Sequence, residues 1–175
     1  MSRNIVLVGI SGSGKSTIGR ALAARLGRRF VDTDEVIMSR FGMPIGDVFS
    51  SLGESVFREA ESEAVVAACA GDDQVVSLGG GAIVKDESFT VAQDGNLLVR
   101  LSVSAEEAVR RLTSSPGTEE RPMLRGGDPI ARLADMLAAR EARYAQADIT
   151  IDTERRGVNE IVSVIVAAAR DRGMA

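Results

Sequence analysis

The first clear signal along the chain is a run of four apolar residues, Ile5-Val6-Leu7-Val8, with no polar position between them. Alternation would mark a strand with one wet face, whereas a continuous, mostly β-branched run predicts a strand buried on both faces. The run stops at a glycine-rich loop, and beyond it Ile18, Ala21, Leu22 and Leu26 recur at helical spacing until Gly27. The same exchange of periods continues. Phe30-Val31-Asp32 predicts a second strand, followed by a helical pattern to about Arg40 and a short helix over 45–52. A long alanine-rich helix is predicted over 54–70, with Val56, Phe57, Ala60, Ala64 and Ala67 as inward positions. Further strands are expected at 74–78, 96–101 and 149–152, and further helices at 105–112, 131–146 and 158–170. Strands alternating with helices predict an α/β chain: an open, mostly parallel sheet with helices on both faces.

Composition narrows the class. At 175 residues and 45% hydrophobic content the chain reads as one domain, 1–175, able to bury a core without disulfides. Twenty-one basic against 25 acidic residues give a net charge of −4, which argues against a nucleic-acid partner. No segment approaches the roughly 18 apolar residues of a membrane span, so neither secretion nor a membrane is expected and the cytoplasm is. Histidine is absent and Cys69 is the only cysteine, which excludes imidazole proton transfer, disulfides and Cys/His zinc sites. Cys69, on an Ala/Val-rich stretch, reads as a small buried hydrophobe. Chemistry is left to carboxylates, Arg, Lys and hydroxyls.

Among the 21 basic residues only Lys15 and Lys85 are lysines, and Lys15 closes Gly9-Ile10-Ser11-Gly12-Ser13-Gly14-Lys15-Ser16-Thr17. That run meets the G-x-x-x-x-G-K-[ST] pattern between a strand and a helix, where it builds a phosphate cradle. Gly12, Ser13, Gly14 and the following residues to Thr17 would turn their amides toward a phosphate at a helix start. Lys15 would reach the β- and γ-phosphates of ATP, and the Ser16 hydroxyl would ligate Mg²⁺.

In open parallel sheets ligands bind beyond the carboxyl ends of the strands. Asp32 and Asp34 close the second strand there, suited to Mg²⁺ through water and to an acceptor hydroxyl, although Asp32 or Thr33 could equally cap the next helix. Gly79-Gly80-Gly81 closes the third strand, either as a plain turn or as a place where an acceptor meets bare backbone. Glu54, Arg58 and Glu61, at i, i+4 and i+7, can hold a guanidinium by ion pairing. Arg140 and Arg143 precede Tyr144, the only tyrosine. The polar stretch at about 112–127, with two prolines, three glycines, Arg121 and Arg125, is longer than an ordinary connection and predicts a lid, open without ligands.

Taken together, the phosphate loop, Asp32-Thr33-Asp34, Phe57-Arg58 with Glu61, Ser77-Leu78-Gly79-Gly80-Gly81, Arg121-Pro122, and Arg140 with Tyr144 resemble the shikimate kinases in order and spacing, along nearly the whole chain. The resemblance implies a three-layer P-loop kinase fold with a five-stranded parallel sheet in the order 2-3-1-4-5, and transfer of the ATP γ-phosphoryl group to the shikimate 3-hydroxyl. It implies Lys15, Asp34 and Arg121 as catalytic residues and Ser16 and Asp32 as Mg²⁺ holders. Arg58 and Arg140 would bind the shikimate carboxylate, Gly79 to Gly81 would line its pocket, and Arg110 would lie beside the adenine. A monomer acting on small molecules is expected. Three departures stand out: Met123 after Arg121-Pro122, the acidic run before Arg121, and Ile10-Ser11 in the phosphate loop, a wording shared with gluconate kinases. A gluconate kinase-like enzyme and a non-catalytic nucleotide-binding module therefore remain as alternatives, and the Asp34, Arg58 and Arg140 set argues against both.

Overall fold

The computed structural model describes residues 4–114 and 127–174. Its centre is β1 (Ile5–Val8), paired in parallel with β3 (Gln74–Ser77) on one side and β4 (Leu97–Ser102) on the other. The edge strands are β2 (Arg29–Asp32), against β3, and β5 (Ile149–Asp152), against β4. The order is thus 2-3-1-4-5 with every pairing parallel, as the sequence and its resemblance predicted.

The unbroken apolar run of β1 follows from its position. Ile5 and Leu7 face one layer, where α1 (Lys15–Leu26) and α8 (Val158–Asp171) supply Ile18, Leu22, Ile161 and Ile165. Val6 and Val8 face the other, against Val65 and Ala68 of α4 (Glu54–Cys69), Phe89 and Ala92 of α5 (Asp86–Gln93), Ala108 of α6 (Ala105–Thr113) and Leu133 of α7 (Pro129–Tyr144). A smaller cluster of Ile37, Val48, Phe57, Ala60 and Ala64 joins α2 (Thr33–Phe41), α3 (Ile45–Leu52) and α4 into an outlying unit beside the sheet.

Local chemistry sets the helix starts. Asp128 accepts from the amides of Ile130 and Ala131, with Pro129 in the first turn, so α7 begins two residues before its periodic pattern. Ser104 accepts from the Glu107 amide at the head of α6. Two readings of the pattern change. On α4 the buried stripe is Phe57, Ala60, Glu61, Ala64, Val65, Ala68 and Cys69, while Val56 and Ala67 face outward. Alanine and valine carry too little contrast to phase a helix whose inner stripe also contains a carboxylate. Helix α5 was not predicted: its inner face is Ser88, Phe89 and Ala92, and no side chain caps its start. Cys69 is buried as expected, its thiol pushed up to about 11 by desolvation.

Candidate active site

The loop between β1 and α1 turns through left-handed backbone at Gly12 and Gly14, with φ of 85° and 92°. Gly14 is the N-cap of α1, and no side chain takes the amides of that first turn. They remain as donors at the positive end of the helix. Lys15 is buried behind them, its Nζ donating to the carbonyls of Gly9 (2.8 Å) and Ile10 (3.0 Å). Desolvation lowers its pKa to about 8, against the opposing pull of Asp34 and Asp32. Ser13 is buried as well, and Thr17 is exposed on α1.

The second strand ends in a compact relay. Asp32 accepts from Ser16 Oγ through Oδ2 (2.6 Å) and from the Asp34 amide through Oδ1 (3.0 Å). Helix capping and proximity to the phosphate loop, alternatives in the sequence, are both true of this one carboxylate. Thr33 Oγ1 accepts from the Gly79 amide (2.8 Å) and donates to the Ser77 carbonyl (3.3 Å), tying the end of β2 to the triple glycine. Asp34 is turned into the site, and burial together with the like charge of Asp32 pushes its carboxyl up to about 6.

The outer two glycines of the triplet each make room for a different functional group. A Cβ on Gly79 would lie 2.5 Å from Asp34 Oδ1, and one on Gly81 would lie 2.5 Å from Arg58 Nη1. Gly80 has ordinary space, its nearest neighbours being Ser11 and Arg140 at 3.6 to 3.7 Å. Arg58 pairs with Glu61 (2.7 Å) and Glu54 (3.5 Å), so the predicted ladder forms, with Glu61 as its buried rung. Arg140 is buried and donates to the Gly80 carbonyl at 2.6 Å. Lys15, Asp32, Asp34, Arg58, Arg140 and the triplet therefore converge beyond the carboxyl ends of β1, β2 and β3.

Other sequence candidates lie elsewhere. Arg143 pairs with Asp86 and stacks over Phe89, holding α7 against α5. Arg110 projects from the exposed side of α6 and pairs with Glu107, whereas its neighbour Arg111 turns inward to the Gly12 carbonyl (3.3 Å) and to Thr153. The pattern singled out neither Arg111 nor Thr33 as a link, because one basic or hydroxyl side chain among several carries no periodic mark. Arg121, and residues 115–126 of the expected lid, lie outside the described residues.

A phosphate loop at the head of α1, a parallel 2-3-1-4-5 sheet and a carboxylate facing the loop define a P-loop kinase of small molecules. The sequence model of the shikimate kinase family matches residues 11–170. The shikimate kinase of Symbiobacterium thermophilum is 42% identical over 97% of this chain and 98% of its own length. That of Mycobacterium avium is 44% identical over 95% and 93%. The solved structure of the Acinetobacter baumannii shikimate kinase in complex with shikimate superposes with a TM-score of 0.91 at 30% identity, covering 100% of this chain and 97% of that one. The chain belongs to the shikimate kinase family. Neither a gluconate kinase-like enzyme nor a non-catalytic module is favoured by these likenesses.

Proposed function

We infer that this chain transfers the γ-phosphoryl group of ATP to the 3-hydroxyl of shikimate, giving shikimate 3-phosphate and ADP, within aromatic amino-acid biosynthesis. One observation supports the residue assignment above all. A buried carboxylate, Asp34, and two arginines, Arg58 and Arg140, converge on bare glycine backbone directly across from the phosphate loop. This set suits a polyhydroxylated acid: the arginines take its carboxylate and Asp34 takes its hydroxyls.

The loop amides and Lys15 hold the ATP phosphates, and Lys15 places its charge where the transferring oxygens become more negative. Ser16 and Asp32 offer hard oxygen donors at the helix start, a set that fits Mg²⁺ with Asp32 acting through water. The bound ion would supply charge neutralisation between the phosphates. Asp34, ionised above a pKa of about 6, orients the attacking hydroxyl and accepts its proton. A loose transition state asks little of a base, so orientation is the larger part of this role. Gly79 to Gly81 line the acceptor pocket, and Arg110 is assigned to the adenine side, on the helix whose Arg111 reaches the loop. Arg121 is assigned to cover the phosphoryl group, carried on the lid of a single domain. We assign the enzyme to the cytoplasm as a monomer acting without nucleic acid or membrane; among the described residues no helix is long and apolar enough to cross one.

A coupled ADP-release assay with shikimate, with gluconate and with no acceptor tests the reading. Release dependent on shikimate is expected. Turnover with gluconate alone would transfer the assignment to the sugar-acid kinases, and no release with either acceptor would leave only nucleotide binding. Arg58→Ala and Arg140→Ala should each lower kcat/KM for shikimate by about 30- to 150-fold, with ATP binding little changed.

A further inference from the structure

Arg140 owes its position to α7, and α7 is fastened to the sheet at one conspicuous point. Arg100 of β4 lies in register with Val8, the last residue before the phosphate loop. Its guanidinium makes a two-pronged contact with Glu141, Nη1 donating to Oε1 at 2.8 Å and Nη2 to Oε2 at 2.7 Å. The same guanidinium stacks 4.9 Å from the centroid of the Tyr144 ring. Glu141 is the residue after Arg140, and Tyr144 lies one turn further along the same buried face as Arg140.

Three contacts of this kind fix more than proximity. A fork on a carboxylate sets an orientation as well as a distance, and a ring under the guanidinium sets the height of the helix above the strand. The Arg100 side chain is only 14% exposed, so although Glu141 is half exposed, the guanidinium is held against the strand and the Tyr144 ring. A β4 residue thereby helps to set the rotation of the last turns of α7, alongside the Arg143 contacts to α5. On the buried face it shares with Tyr144, Arg140 reaches the Gly80 carbonyl.

We propose that Arg100 is a positioning residue for the acceptor: its fork to Glu141 and its stacking on Tyr144 set where the Arg140 guanidinium stands to receive the acceptor carboxylate. The inference rests on the assignment of Arg140 given above. Arg100 engages Glu141 and Tyr144 and is none of the residues assigned to either substrate, so its influence runs through acceptor affinity and leaves phosphoryl transfer alone.

The test compares Arg100→Met, Arg100→Lys and Glu141→Gln with Arg140→Met, in steady-state kinetics with shikimate and with an analogue lacking the carboxylate, ATP being varied separately. Arg100→Met should raise the shikimate KM about 5- to 20-fold with kcat and the ATP KM within about twofold. Arg100→Lys keeps the charge and loses the fork, so it should show an intermediate rise. Glu141→Gln, at a residue whose side chain is half exposed, should shift KM in the same direction with little change in melting temperature. With the carboxylate-free analogue, Arg100→Met and wild type should perform alike. If Arg140→Met raises the shikimate KM while Arg100→Met and Glu141→Gln leave it within twofold, Arg100 positions nothing. A loss in kcat, ATP KM and thermal stability together would make Arg100 merely structural and overturn the proposal. An unchanged shikimate KM in Arg140→Met would overturn the assignment of Arg140 itself, and the inference with it.

Discussion

At the amino ends of the strands the buried polar residues Asn4, Gln74 and Asn96 are neutral, and Asn4 joins the other two and is fully engaged. Its amide donates to Asn96 Oδ1 (3.0 Å), its Nδ2 to the carbonyls of Cys69 and Gly71 (3.2 and 2.7 Å), and its Oδ1 accepts from the Gln74 amide (3.0 Å). At the carboxyl ends of the same strands the buried groups include the charged Lys15, Asp32, Glu61 and Arg140, with Asp34 among them. Burying a satisfied amide adds to stability and specifies register. Burying charges with only partial compensation shifts their pKa values and weakens the fold while preparing it for a ligand. One end of the sheet is built to hold; the other is built to react.

Lys15→Ala should break the comparison most sharply at the reactive end. We expect kcat to fall roughly 10³-fold with no loss of thermal stability, measured by ADP release and by melting. Asn4→Ala should do the reverse. It strands the Gln74 amide and two carbonyls, so a loss of about 2 to 4 kcal/mol in denaturant unfolding is expected, with kcat unchanged in the protein that remains folded. Gly79→Ala should push Asp34 aside and lower kcat by about 10- to 100-fold. Gly80→Ala, where a Cβ has ordinary room, should keep the stability of the free enzyme; equal kcat losses in the two variants would show that Asp34 does not depend on Gly79.

Asp34→Asn sharpens the contrast through pH. The folded state holds the Asp34 proton up to about pH 6, whereas the unfolded chain releases it near the ordinary carboxyl value of 3.8. Stability therefore falls as pH rises through that window, and above it the ionised carboxylate is a net burden. Asn never acquires the charge, so the variant should be more stable at pH 7 by about 1 to 3 kcal/mol while losing most of kcat. Urea unfolding at pH 4.5 and pH 7 reads the difference, and an equal stability gain at both values would contradict the sign. The exposed Arg20–Glu35 pair belongs to neither end, and its removal should change neither melting nor rate measurably.

The sequence made one end of the sheet far easier to read than the other. Strand, loop and helix around Lys15 were legible because period and motif coincide there, and the triple glycine was visible as a break in both. Asn4, the hub of the opposite end, was not, since a lone amide before a strand has no pattern and its four partners are distant in sequence. Helix α5 escaped for lack of an apolar stripe and a cap. The acceptor ladder of Glu54, Arg58 and Glu61 was visible as spacing, but only packing shows that Glu61 is the buried rung. Arg100 was hidden for a further reason: it stands inside a strand pattern, where one polar residue reads as an outward face.

Asp32 serves two masters with its two oxygens, Ser16 on one helix and the Asp34 amide on another. Under the proposed assignments, a change at Ser16 on the nucleotide side passes through Asp32 to the backbone of Asp34, the carboxylate assigned to the acceptor hydroxyl. Such a bridge places both substrates on one thermodynamic cycle, and its coupling is reciprocal by necessity. If ATP tightens the hold on the acceptor by some factor, the acceptor must tighten the hold on ATP by the same factor.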